Sequence, residues 1–100
     1  GVDRIKDRID MLSEYALELC LERDLDLVSP LNVNRKGGTT AIKVSHIMDS
    51  HELEHDLRVK NIIASARGEY IRVAPHFYNK KEELKIVFDE IKRILDSKRV

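Results

Sequence analysis

Along the first part of the chain Ile5, Ile9, Leu12, Ala16 and Leu19 recur at intervals of four and three, the spacing that aligns side chains on one side of a helix, and they predict a helix from about Asp3 to Arg23. Leu25 to Val28 reads as a short strand stopped by Ser29-Pro30, and Asn32 to Gly38 is a polar connection rich in turn formers. Thr39 to Ser45 follows as a second strand, with Thr40, Ile42 and Val44 facing inward and Thr39, Ala41 and Lys43 outward. Leu53 and Leu57, four apart after a cap at Asp49 or Ser50, predict a short helix. Asn61 to Ala66, β-rich at Ile62-Ile63, the turn Arg67-Gly68-Glu69 and the run Tyr70 to Ala74 form a predicted hairpin. The last helix is the clearest element: Asn79 is its expected cap, Glu82 stands in capping-box spacing, and Leu84, Val87, Phe88, Ile91, Ile94 and Leu95 make its apolar stripe.

This order, α-β-β-α-β-β-α, predicts an α+β domain: a two-layer sandwich in which a mostly antiparallel four-stranded sheet carries its helices on one face. At 100 residues the chain holds one core, so residues 1–100 are read as a single domain. Alternation along Tyr70 to Ala74 puts Ile71 and Val73 on one face and Tyr70 and Arg72 on the other. With helices on the Ile71 and Val73 side, Arg72 projects from a face that needs water or another cover.

Arg72 is the residue that most needs an explanation, because a permanently charged guanidinium stands inside an otherwise apolar strand. Its planar fork pairs bidentately with carboxylate or phosphate. The structural alternative is a solvated side chain, or an ion pair with one of the 18 acidic residues. Arg67, on the turn, has the same choice between pairing with Glu69 and facing the same cleft as Arg72. Tyr78 at a strand-to-helix corner is expected to pack its ring, and His76 beside Pro75 carries no role that its surroundings define.

The segment Arg67-Gly-Glu-Tyr-Ile-Arg-Val-Ala-Pro-His-Phe-Tyr-Asn79, followed by Glu82-Glu83, resembles the C-terminal small domain of class V aminotransferases, a family that includes kynureninases and cysteine desulfurases. The opening helix, the Val28-Ser29-Pro30 strand end and Arg35-Lys36-Gly37-Gly38 before a strand fall in the family's order, the last of these leaning toward the kynureninase-like side. The resemblance implies a transferase or lyase dependent on pyridoxal phosphate, in which Arg72 binds the α-carboxylate of an amino-acid substrate and Arg67 lines the same substrate cleft. It implies that the cofactor and its lysine belong to a large domain of the same parent chain. This piece alone would then be inactive and hold no cofactor, and the parent would be a homodimer.

Composition narrows the partners. Lys plus Arg and Asp plus Glu number 18 each, so the balance gives no long-range attraction for nucleic acid or an anionic membrane. The single cysteine, Cys20, excludes an internal disulfide, fits a cytoplasmic setting, and on the apolar side of a helix reads as a small core residue. The sequence offers no apolar run of membrane-spanning length, and Gly1-Val2-Asp3-Arg4 lacks the layout of a signal peptide. A start at Gly1 leading straight into helix is the expectation for a piece of a longer protein.

One motif competes. His51-Glu52-Leu53-Glu54-His55 matches H-E-x-x-H, in which two histidines one helical turn apart bind zinc and the glutamate serves as general base. A third ligand would have to come from His76, Glu69 or Asp56. The plain alternative is a solvated helix face. A third reading, a free-standing interaction domain without chemistry, applies if nothing else accompanies this chain.

Overall fold

A computed structural model describes residues 2–27, 40–74 and 80–99, with backbone alone at 2–7 and 9. Among these the architecture is α+β: α1 (Val2–Glu22), β1 (Thr40–Lys43), α2 (Ser50–Val59), β2 (Ser65–Arg67), β3 (Tyr70–Val73) and α3 (Lys81–Lys98). The strands form an antiparallel sheet in the order β1-β3-β2. Among the described residues it has three strands where the sequence predicts four.

The difference lies in Leu25 to Val28. Leu27 makes only an isolated antiparallel bridge to Ile42, at the outer side of β1, and Lys43 donates its backbone N–H to the Asp26 carbonyl at 2.9 Å. No ladder forms through Leu27 because the backbone up to it is spent locally: Leu25 donates to the Cys20 carbonyl and Leu27 to the Leu25 carbonyl. Val28, the polar connection and Thr39 lie outside the described residues.

Both α1 and α2 end in the same device. Asp24 and Asn61 have φ of 53° and 62°. In each case the next residue reaches back to the last turn, Leu25 N–H to Cys20 and Ile62 N–H to Leu57, while Asp24 and Asn61 bond Leu21 and Arg58. This is a Schellman cap, and short polar side chains tolerate its left-handed residue better than most. The cap moves the third strand. Ile62 gives its N–H to α2, so pairing with β3 begins only at Ser65 and the strand spans Ser65–Arg67, not the Ile62-Ile63 stretch. Arg67 thus ends a strand, opposite Tyr70, and Gly68-Glu69 is the two-residue loop. Gly68 has φ +57°, at the first loop position where type II′ hairpins place glycine.

Asp49 caps α2, its carboxylate accepting the Glu52 N–H at 3.2 Å. At α3 the cap position is Lys80, without a side-chain bond, in place of the predicted Asn79; Asn79 lies outside the described residues. The α3 stripe is as predicted: Leu84, Val87, Phe88, Ile91, Ile94 and Leu95 are all buried. They pack with Leu12, Ala16, Leu19 and Cys20 of α1, Leu53 and Leu57 of α2, and Ile42, Ile71 and Val73 from one face of the sheet.

Thr40, also on that face, is fully buried and its Oγ1 has no hydrogen-bond partner among the described residues. A desolvated hydroxyl of this kind costs free energy that a methyl does not. Thr40→Val should therefore raise stability by ~1 kcal/mol, read as a higher urea midpoint with unchanged slope.

Across the helix layer Arg23 donates from Nε to Asp89 at 2.7 Å, and Lys85 reaches the other oxygen at 2.9 Å. The Lys85 hydrogen bond, opposed by partial burial and reinforced by Arg23, holds the Asp89 carboxyl below its usual range. Arg93 does the same for Glu90. For a carboxyl depressed in the folded state, the stabilisation is complete above the unfolded pKa of about 3.9–4.3 and is lost as pH falls through the folded value. Asp89→Asn should flatten acid unfolding below about pH 4 while lowering neutral stability by no more than ~1 kcal/mol, since the pair is solvent-accessible.

Candidate functional site: the open face of the sheet

Among the described residues the strands show one face to the helices and leave the other open, and the register decides which residues share the open side. Ser65, Arg72 and Ala41 lie in one cross-strand row, and Arg67, Tyr70 and Lys43 in the next. Because side chains alternate, both rows face away from Ile42, Ile71 and Val73. Burial agrees: Ile71 and Val73 are fully buried, Arg72 and Arg67 exposed, and Tyr70, Ala41 and Lys43 half-buried.

Arg72 therefore sits on the central strand, facing outward. Arg67 on one neighbour and Lys43 on the other are its diagonal partners, at the ~7–8 Å that separates such positions, with Tyr70 between them. The sequence marked Arg72 and Arg67. It missed Lys43, although the alternation Thr39, Ala41, Lys43 had already set that residue outward.

Among the described residues no carboxylate pairs with Arg72, Arg67 or Lys43; the ion pairs lie on the helices and their ends. Glu69, one of the two options for Arg67, accepts a hydrogen bond from Ser45 Oγ at 3.1 Å. The hairpin loop is further tied to α2 by Ser50 Oγ, which donates to the Gly68 carbonyl at 2.6 Å. Three cations are thus held on a ladder whose turn is anchored, with no acid among them. A patch of this kind suits an anion, and the same rows carry the Ser65 and Tyr70 hydroxyls.

The H-E-x-x-H segment makes structural contacts within the described part of the chain. Leu53 is in the core, His51 and His55 are exposed, and Glu54 accepts the Ala66 N–H at 3.0 Å. Ala66 belongs to the edge strand, so this bond satisfies a backbone donor that has no strand beside it. Among the described residues no group of three His, Cys, Asp or Glu side chains is placed to hold a metal. His76, together with Pro75, Phe77, Tyr78 and Asn79, lies outside the described residues.

Pyridoxal phosphate requires a lysine and a phosphate cradle. The lysines whose side chains are described are exposed on the helices or their ends, apart from half-buried Lys43 on the sheet and Lys92, which pairs with Asp96 at 3.4 Å. The described residues do not form a cradle for that cofactor. Nor is any helix among them long and apolar enough to cross a membrane.

No family model matches the chain. Over 91 residues it is 33% identical to the uncharacterized aminotransferase YcbU of Bacillus subtilis (strain 168), a match that takes in 91% of this chain and 24% of that protein. The chain thus spans about a quarter of the length of the curated relative it matches, and its likeness is to a stretch of an aminotransferase.

Proposed function

We propose that this chain is the substrate-carboxylate-binding, C-terminal domain of a pyridoxal-phosphate-dependent aminotransferase of class V, a kynureninase-like or cysteine-desulfurase-like enzyme acting on an amino acid. The observation that carries the reading is the position of Arg72: on the middle strand, outward, on the face away from the domain's own helices and without an acidic partner among the described residues. The likeness to an aminotransferase supports it.

In this reading a large domain of the same parent chain supplies the cofactor, its lysine and the phosphate cradle, and covers the open face to make a cleft. Arg72 grips the α-carboxylate, and Arg67 faces the same cleft. Pyridoxal phosphate would supply the electron sink. The chain's own contribution is positioning, which turns a loose encounter into an aligned one.

The test is Arg72→Ala in the complete protein, with amino-acid binding followed by calorimetry and cofactor content by absorbance. Binding should collapse while the cofactor stays. Unchanged binding overturns the assignment.

A further inference from the structure

Arg72 accounts for one carboxylate, but the open face carries more charge than one carboxylate uses. Lys43 and Arg67 stand on opposite sides of Tyr70 in a single cross-strand row, and each is diagonal to Arg72. Three cations on neighbouring positions of one face attract an anion placed among them more than any one of them does alone. Exposed basic residues on sheets are ordinarily relieved by nearby acids. On the described part of this face there is none, and Glu69, the nearest acid along the hairpin, is engaged by Ser45.

We infer that Lys43 and Arg67 form a second anion subsite beside Arg72, so that the site takes an amino acid with an acidic side chain: the α-carboxylate on Arg72, the distal carboxylate between Lys43 and Arg67 over the Tyr70 ring. This rests on the reading of Arg72 given above. The geometry favours a short dicarboxylate. Both cations flank one residue, Tyr70, one strand spacing of ~4.8 Å to either side, so a carboxylate above Tyr70 is within reach of both, and the step from Arg72 to those positions is a diagonal of ~7–8 Å between backbones, short enough for a small diacid. Ala41 and Ser65, the cross-strand neighbours of Arg72, are small and leave the approach open.

The experiment is calorimetric titration of the complete protein, cofactor bound, with succinate and with butyrate, which have the same carbon skeleton but two charges against one. Neither has an amine, so only binding is read, and ionic strength is held constant. The proteins are the wild type, the double variant Lys43→Gln/Arg67→Gln, and Arg72→Ala, each checked by circular dichroism for an unchanged fold. Succinate should bind the wild type about tenfold or more tightly than butyrate, a difference of ~1.4 kcal/mol. The double variant should bring succinate down to the butyrate value and leave butyrate where it was, while Arg72→Ala should abolish both.

Equal affinity for the two ligands in the wild type overturns the second subsite, as does a double variant that weakens both ligands alike. In either case a loss of binding in Arg72→Ala leaves the carboxylate role of that residue standing. If Arg72→Ala binds both ligands as the wild type does, or if neither ligand binds the wild type, the carboxylate role and the second subsite fall together.

Discussion

Arg72→Ala should cost the parent enzyme about 30-fold to several thousand-fold in amino-acid affinity, the range that corresponds to the ~2–5 kcal/mol lost when one partner of an enclosed, hydrogen-bonded charge pair is removed. The stability of the domain should hardly move. Arg72 is exposed and has no ion-pair partner among the described residues, and surface substitutions of that kind stay within about 0.5 kcal/mol. That split is the diagnostic. A structural arginine would lower stability and affinity together, whereas a positioning one lowers affinity alone. Arg72→Lys keeps the charge and loses the planar fork, so it should fall between the two, nearer to alanine, because a point charge cannot hold both carboxylate oxygens in register. Comparing urea midpoints with calorimetric affinities for the three proteins reads the split directly. Loss of stability in Arg72→Ala without loss of affinity would remove the residue from the site.

Phe88→Ala is the opposite case, with a large effect on the fold and none specific to the site. Phe88 is the largest of the fully buried side chains and lies in the middle of the α3 stripe, in the core that joins the three helices to the sheet. Removing it forfeits the transfer free energy of the ring and leaves a cavity that the neighbours only partly fill, at ~3–5 kcal/mol. A domain of this size has a total of roughly 5–15 kcal/mol, so a large share of its stability goes. The thermal midpoint should drop by at least about 12 °C, at ~4 °C or more per kcal/mol. Phe88→Leu, which keeps most of the volume, should lose less than half as much. If alanine at 88 shifted the midpoint by only a few degrees, the helix layer would not be packed as described.

Where local chemistry decides, the sequence was a reliable guide. The 3.6-residue period fixed α3 residue by residue, and the period of two in Tyr70 to Val73 set Arg72 outward, because both periods follow from backbone geometry alone. The misplaced elements share another cause. Leu25 to Val28 has strand-like residues, yet among the described residues it contributes only the Leu27 bridge; Ile62-Ile63 has the stronger β propensity, yet the strand begins at Ser65. In both places the helix before them takes the first backbone donors for its cap, a competition between neighbouring elements that propensity does not contain. The glutamates are a similar case. Glu54 reads as part of a solvated helix face and Glu69 as one of two options for Arg67, but the first bonds the edge strand and the second Ser45, through contacts with residues distant in sequence.

The sequence by itself determined the class of fold, the buried face of each long element and the direction of Arg72. Only the tertiary structure decided what stands beside Arg72. Alternation assigns every strand residue to one of two sides but says nothing about which residue of another strand lies across from it; that register depends on where the Gly68-Glu69 loop closes and on how β1 meets β3 across almost thirty positions of intervening chain. It is this non-local pairing that sets Lys43 and Arg67 on either side of Tyr70 and both beside Arg72, making a cluster of charge out of three residues that the sequence leaves apart.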